Sequence, residues 1–289
     1  MPGLCGLECG AAGTQCAAMT PRQPSSYLVL LAAFAVRLVA HDYWLEPDRY
    51  VAGVQETVDL RLLVGMALKA DEEREFQLAR TPQCALVNSS GRRDLRPGLV
   101  EGAKPFARVK LASTGTQLIV LERTPSTITL AADKFTDYLK EEGLDYIVAE
   151  RARRGESGHE GRERYARFLK CYVRVGEQPE TKVPTAALRL DILPELRTDR
   201  AMQVGDELAV RASLDGAPLV QAVLFAAVRQ ADGKIATQRV TTDETGRARF
   251  RLTSAGLWVV RFVHMQRTPV GDPAADWDSF WAAATFGVK

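Results

Sequence analysis

His41 is one of three histidines in the sequence, and it follows an apolar run within the stretch "VAHDYWLEPD". If the chain is cut just before it, His41 presents a free α-amino group beside its imidazole. These nitrogens and the amide of Asp42 can chelate one ion together, a nitrogen-rich site that favours Cu(II) or Ni(II) over Mg or Ca. Such a site needs a deprotonated amine and a neutral imidazole, so binding weakens in acid. The alternative is a histidine that merely starts a strand.

The other candidate ligands are scattered along the chain. His264 ends the strand-like run "LWVVRFVHM", where a position beside a loop suits a ligand, although a lone histidine there is more often structural. Met265 is either a soft ligand for Cu(I) or a core residue. His159 lies in a Gly-rich charged loop. Asp276 and Asp278, among the tryptophans of "AADWDSFWAA", can complete a metal site or accept hydrogen bonds from its imidazoles.

Charge and motifs argue against several functional classes. A formal charge of +2 and a pI of about 8.3 are too mild to indicate a nucleic-acid or anionic-membrane partner. After residue 40 the chain has no GxSxG elbow, P-loop, dinucleotide-binding glycine fingerprint, HExxH motif or CxxC pair. The sequence therefore predicts a binding protein and not an enzyme.

The segment "SSYLVLLAAFAVRLVA" before His41 has the pattern of a secretory signal. Its apolar core, interrupted by Arg37, is too short for the roughly 20 residues of a membrane-spanning helix. The small residue Ala40 favours cleavage between Ala40 and His41, which predicts a periplasmic or secreted product. Residues 1–40 are thus an upstream segment and signal. The cysteines before Met19 are metal ligands or, as we favour, precede the true translation start.

Residues 41–176 are predicted to form a β-rich domain. The run "TVDLRLLVG" alternates between apolar and polar side chains, as half-buried strands do. The run "TQLIVLERTPSTITLAA" is interpreted as a hairpin broken at Pro125. A helical excursion is expected between about Asp133 and Ala166, because apolar residues there recur at helical spacing and Gly143 divides the pattern.

A second domain is predicted over 188–289. The stretch "EQPETKVPTAA", residues 177–187, has no periodicity and is typical of a linker. Beyond it, short alternating runs separated by turns such as "DG" and "ETG" indicate an antiparallel sandwich of immunoglobulin or transthyretin type. The predicted fold class is mostly β, with two antiparallel β-sandwich domains and a short helical excursion in the first.

Two cysteines, Cys84 and Cys171, remain after the predicted cleavage. Cysteines in an exported protein often pair. These two lie far apart in sequence, and their spacing favours neither a disulfide nor two buried thiols.

Several fragments together resemble the NikM-like family of exported proteins, long grouped as a domain of unknown function, which accompany nickel and cobalt uptake systems. They occur in the family's order and cover almost the whole chain from residue 41. The fragments are "AHDYWLEP", "KFTDYLKEEGLD", "RERYARFLKCYVRVG", "LRLDILPE", "DGAPLVQAVL", "TDETGRARFRL", "GLWVVRFVH" and "DWDSFWAAATF". One departure is "RLLVGMALKADE", where Met66 and Ala67 replace a more regular strand end.

The resemblance implies an exported β protein that binds a divalent transition metal, Ni, Co or possibly Cu, with the mature N-terminus in the site. It carries His41 and His264 over as ligands, and we add Asp276. The expected function is metal uptake or delivery, with a membrane metal importer as partner. Two alternatives stay open: a copper-dependent oxidative enzyme with an N-terminal histidine brace, and a metal-free structural or adhesive β protein.

Overall fold

Strands are the main secondary structure in the computed structural model, which describes residues 41–289. The signal-like run, Met19 and the upstream cysteines lie outside the described residues. In chain order the elements are β1 (Asp42–Pro47), β2 (Val51–Ala52), β3 (Thr57–Met66), β4 (Lys69–Arg74), β5 (Gln83–Asn88), β6 (Gly91–Asp94), β7 (Ala107–Lys110), β8 (Gly115–Leu130), α1 (Ala132–Glu141), α2 (Asp145–Arg153), β9 (Gly161–Val175), β10 (Leu190–Pro194), β11 (Glu207–Leu214), β12 (Ala217–Pro218), β13 (Val223–Arg229), β14 (Ile235–Thr241), β15 (Arg247–Arg251), β16 (Gly256–Arg267) and β17 (Trp277–Val288). Short 3₁₀ turns occupy Leu78–Arg80 and Arg96–Gly98.

The strands form one large sheet and two small ones. The nine-stranded sheet has the order β14-β13-β16-β17-β9-β8-β5-β6, and β2 pairs with β9. One four-stranded sheet has the order β1-β3-β4 with β7 on β3, and the other has the order β10-β11-β12 with β15 on β11. Pairing is antiparallel except where β9 meets β17 and β2. The predicted fold class, mostly β with antiparallel sandwiches, is confirmed.

The large sheet is covered on both faces, because successive side chains of a strand point to opposite sides. On β16, Val260 and Phe262 pack with the sheet of β10, β11, β12 and β15. Val259 lies on the other face and packs with the sheet of β1, β3, β4 and β7. Further along that second face, Val263 and Met265 lie beneath the helices. The fold is therefore two sandwich cores that share one sheet.

The predicted linker, residues 177–187, connects β9 to β10 and contains no regular secondary structure. Strands from both sides of it, β8 and β9 before and β13, β16 and β17 after, join the same sheet. The described residues, 41–289, form one compact unit. The division into two domains, 41–176 and 188–289, stays a prediction of the sequence.

The helical excursion is shorter than expected. Both helices are present, and they are separated at Gly143, whose φ of +72° is a conformation that glycine adopts readily. The prediction is wrong from Gly161 onward, because this segment begins β9. Its alternation was hidden by Glu163 and Arg167, which are charged yet buried. No helix among residues 41–289 is long and apolar enough to cross a membrane.

The predicted hairpin at Pro125 is also wrong. Residues Gly115–Leu130 form a single strand, β8, which pairs with β9 along its length. The register shifts between Arg123 and Ser126, so the strand bulges around the proline. Since proline lacks an N–H, a bulge accommodates it without loss of a ladder hydrogen bond.

Cys84 and Cys171 are both free and buried. Cys84 pairs with Leu121 of β8, while Cys171 pairs with Ile119 of the same strand from its other side. The cysteines are therefore two strand spacings apart and also offset by two residues along β8. Two strand spacings alone are about 9.5 Å, which exceeds the ~7 Å limit for a disulfide. Burial raises the pKa of each thiol to about 12.

We predict that neither thiol of a chain beginning at His41 reacts with a disulfide reagent at pH 8 in the native state. Both should react once the chain is unfolded in denaturant, because only the thiolate is reactive and burial suppresses it. Counting released thiolate by absorbance, with and without denaturant, measures this. A native chain whose mass shows a Cys84–Cys171 disulfide would contradict it.

Candidate metal centre

His41 directly precedes β1, the strand that positions any site at the predicted mature N-terminus. β1 pairs antiparallel with β3, from Asp42 opposite Gly65 to Pro47 opposite Leu60. It also lies against β9 and β17 of the large sheet. His41 therefore adjoins a strand that is hydrogen-bonded to β3 along one edge and packed against the large sheet through one face.

The imidazole of His41 is partly exposed, and its Nδ1 lies 3.5 Å from Oδ2 of Asp71 on β4. This Nδ1 is itself buried and has no hydrogen-bond partner among the described residues. Asp71 is directed there by a β-bulge: Val64 pairs with Glu72 and Gly65 with Ala70, so Asp71 is the extra residue. Bulges of this kind re-aim a side chain.

Glycine is required at position 65, opposite the bulge. A Cβ added to Gly65 would lie 1.9 Å from the backbone oxygen of Lys69. The two strands then turn through Ala67 and Leu68, whose φ values of 46° and 67° are those of a tight two-residue hairpin loop. The irregular strand end noted in the sequence is this turn.

Asp42 ties β1 to both the turn and the large sheet. Its Oδ2 accepts a hydrogen bond of 3.0 Å from the amide of Ala67, which supports the unusual φ there. Its Oδ1 lies 2.6 Å from Nε of Arg261 on β16. Arg261 also donates through Nη1 to Glu142, 2.5 Å away at the end of α1. The guanidinium covers the ring of Phe225, with 4.7 Å to its centroid.

This buried trio of Asp42, Arg261 and Glu142 joins the first strand, the large sheet and the helices. Asp42 and Glu142 are only 6% and 5% exposed. Burial raises the pKa of Glu142 to about 7, against the opposing attraction of Arg261. Removing one member of such a buried group typically costs about 3–5 kcal/mol, so the trio fixes where His41 lies.

The other predicted ligands have partners elsewhere. His264 lies on the face of β16 opposite to Arg261, and its ring stacks on Tyr146 at 6.1 Å between centroids. Burial lowers the pKa of His264. The hydroxyl of Tyr146 donates to the oxygen of Met265 at 2.7 Å and accepts from its amide at 2.9 Å. Met265 is 1% exposed and belongs to the core.

Asp276 accepts two hydrogen bonds from Arg162, at 2.7 Å and 3.0 Å, and this guanidinium lowers the pKa of Asp276. Asp278 is held in the same way by Arg164. These pairs join β17 to its parallel neighbour β9. His159 lies in the loop between α2 and β9, where its backbone oxygen accepts from an arginine.

Within residues 41–289, no group of three or more His, Cys, Asp or Glu side chains is arranged to hold a metal ion. The structure places His41 beside Asp71, a residue that the sequence pattern did not indicate. The bulge that turns Asp71 toward His41 arises from strand pairing, and the charged run "KADEER" carries no local sign of it.

Comparison with known proteins identifies the family. Residues 38–266 match the family described as "Domain of unknown function (DUF4198)". The chain belongs to the DUF4198 family. Curated proteins gave no match.

Two solved structures are similar to this DUF4198 chain. The D0-D1 domain of intimin is 13% identical, with coverage of 84% of this chain and 96% of that chain and a TM-score of 0.21. A tetra-tandem repeat in the extending region of a large adhesion protein is 10% identical, with coverage of 86% and 49% and a TM-score of 0.20. At such TM-scores neither likeness carries an argument about function.

The raised pKa of Glu142 generates a pH prediction. This carboxyl has a pKa of about 7 in the folded chain and near 4.5 in the unfolded chain. The protonated carboxyl therefore contributes stability that is fully present below pH 4.5 and is lost as the pH rises through 7. Glu142→Gln should remove the loss. Between pH 4.5 and 7 the free energy of unfolding of the natural chain should fall by about 1–3 kcal/mol relative to the variant.

Urea denaturation of both chains across this pH range measures the difference. Glu141→Gln is the matched control, since Glu141 is the exposed neighbour on the same helix. An identical pH dependence for the natural chain and Glu142→Gln would show that Glu142 does not titrate in this window.

Proposed function

We propose that the protein is exported, that it is cleaved before His41, and that its new N-terminus binds a divalent transition metal. The observation that carries the proposal is the unpartnered Nδ1 of His41, which lies 3.5 Å from the carboxylate of Asp71. An imidazole nitrogen without a hydrogen-bond partner has a lone pair that the fold does not use and that a cation can accept. Asp71 adds a negative charge at the same place.

The donor set fits a first-row transition metal. Cleavage would add the α-amino group to the imidazole of His41, and the two nitrogens share one residue, so they can bind one ion together. Nitrogen ligands of this kind suit Ni(II), Co(II) and Cu(II), whereas Mg and Ca prefer oxygen cages. The buried trio around Arg261 holds β1 in place, which limits the ordering needed on binding.

The resemblance to the NikM-like family supports a role in metal uptake or delivery, with a membrane metal importer as the receiving partner. Such a protein would act in the periplasm or outside the cell. Membership of the DUF4198 family is consistent with the resemblance to the NikM-like family, and the family description names no metal. His264 and Asp276 stay predictions of the sequence, and His264→Ala and Asp276→Asn chains in the same titration test them.

The N-terminal amine gives the sharpest test. A chain carrying one extra alanine before His41 should lose most of its affinity for Ni(II), Co(II) and Cu(II), because the amine becomes an amide. His41→Ala with the correct N-terminus should also lose affinity, by removal of the imidazole. Calorimetric titration of untagged protein measures both, and equal thermal midpoints show that the fold is kept.

Two outcomes would overturn the proposal. One is an extended chain that binds as tightly as the processed chain. The other is a mature protein, isolated from its own cells, whose N-terminal mass shows that it does not begin at His41. Oxidative turnover of a polysaccharide by the copper-loaded protein would instead favour the copper enzyme.

Asp71→Asn tests the second half of the site. The substitution keeps the size of the side chain and removes its charge, so metal affinity should fall about tenfold or more. Glu72→Gln is the matched control, since Glu72 is the exposed neighbour on β4. Equal affinities of the two variants would exclude Asp71 from the site and leave the His41 chelate to stand alone.

A further inference from the structure

A cavity lies where β9 and β17 end and β16 begins, and neither His41 nor Asp71 lines it. It is open, has a volume of about 310 Å³ and is covered by the segment after β10. This volume falls at the lower end of the range for small-molecule sites, about 300–1,000 Å³. Its floor is apolar and includes Met202, Leu257 and Phe286.

The charged side chains of the cavity wall all have one sign. They are Arg174, Arg197, Arg200 and Lys289, and no aspartate or glutamate among residues 41–289 lines the cavity. Each cation has a carboxylate partner outside the cavity lining, respectively Glu180, Asp199, Asp206 and Glu177. The cations are therefore held in position while the cavity itself presents donors.

Three of the lining residues carry a buried donor without a partner, and the hydroxyl of Tyr50 is one of these donors. The hydroxyl of Tyr172 and Nε of Arg174 have no hydrogen-bond partner within the described chain, although their side chains are only 3% and 8% exposed. Nearly all buried polar groups in proteins are hydrogen-bonded, so each exception calls for an explanation. Both residues line the same cavity and lie two positions apart on one face of β9.

We propose that this cavity binds an amphipathic monoanion, a carboxylate with an unbranched or aromatic apolar body. The carboxylate would accept hydrogen bonds from Tyr172 and Arg174, since bonds from a guanidinium to a carboxylate are among the strongest in proteins. The apolar body would cover Met202, Leu257 and Phe286. Arg197, at the rim, would add attraction through its Nη1, which makes no hydrogen bond within residues 41–289.

The site is independent of the proposed metal chemistry. It uses residues of β9, β16, β17 and the segment after β10, whereas His41 and Asp71 belong to β1 and β4. A negative result for metal binding at His41 therefore says nothing about carboxylate binding in the cavity, and the reverse also holds.

Calorimetric titration of the chain beginning at His41 with decanoate tests the proposal. Decanoate should bind saturably at one site per chain. Acetate, which lacks the apolar body, and decanol, which lacks the charge, should each bind at least about tenfold more weakly. Decanol binding as tight as decanoate, or no saturable binding of decanoate at all, would overturn it.

Single substitutions then locate the site. Tyr172→Phe should weaken decanoate binding about fivefold while keeping or raising the thermal midpoint, because the deleted hydroxyl has no partner in the fold. Tyr165→Phe, on the opposite face of β9, is its matched control. Arg197→Ala should weaken binding about threefold, and Arg211→Ala, an exposed arginine outside the cavity, should not. Unchanged affinity in both Tyr172→Phe and Arg197→Ala would place the carboxylate elsewhere and refute the site.

Discussion

A nine-stranded sheet covered on both faces gives its central strands no solvent-exposed side, and every charged side chain there needs a buried partner. Lys170 on one face of β9 pairs with Asp191 of β10 and donates to the oxygen of Ile192 at 3.2 Å. On the other face, Arg261 pairs with Asp42 and Glu142. Because a buried charge without its partner is very costly, these pairs fix how each covering layer lies on the sheet.

The same constraint explains the polar cluster beneath the helices. Glu163 accepts from the hydroxyl of Tyr138 at 3.0 Å and from Ser279. Arg167 is stacked against aromatic rings, with 3.9 Å to the centroid of Tyr43 and 4.9 Å to that of Trp281. Helices, first strand and sheet thus meet through hydrogen bonds and cation–π contacts as well as apolar packing.

The position of the candidate metal centre follows from these contacts. The buried carboxylate of Asp42 pairs with Arg261 and accepts from the amide of Ala67, and His41 is thereby placed at the start of β1 beside the bulge of β4. The cavity at the other end of the sheet has a similar origin. Arg174 is held by Glu180, and its buried Nε has no hydrogen-bond partner within the described chain.

Period-two patterning determined the strands of the second half, and helical spacing with Gly143 determined α1 and α2, because these signals depend only on neighbouring residues. Local signals could not show that β8 runs through Pro125 or that β9 begins at Gly161. A bulge in the pairing with β9 accommodates the proline. Glu163 is buried by its hydrogen bonds and Arg167 by its contacts with aromatic rings, and distant residues supply both. The sequence singled out His41 from its place behind an export-like run. Only the tertiary structure shows that Asp71 lies beside His41 and that Asp276 is hydrogen-bonded to Arg162. Strand register decides which distant side chains meet, and the sequence alone does not reveal this register.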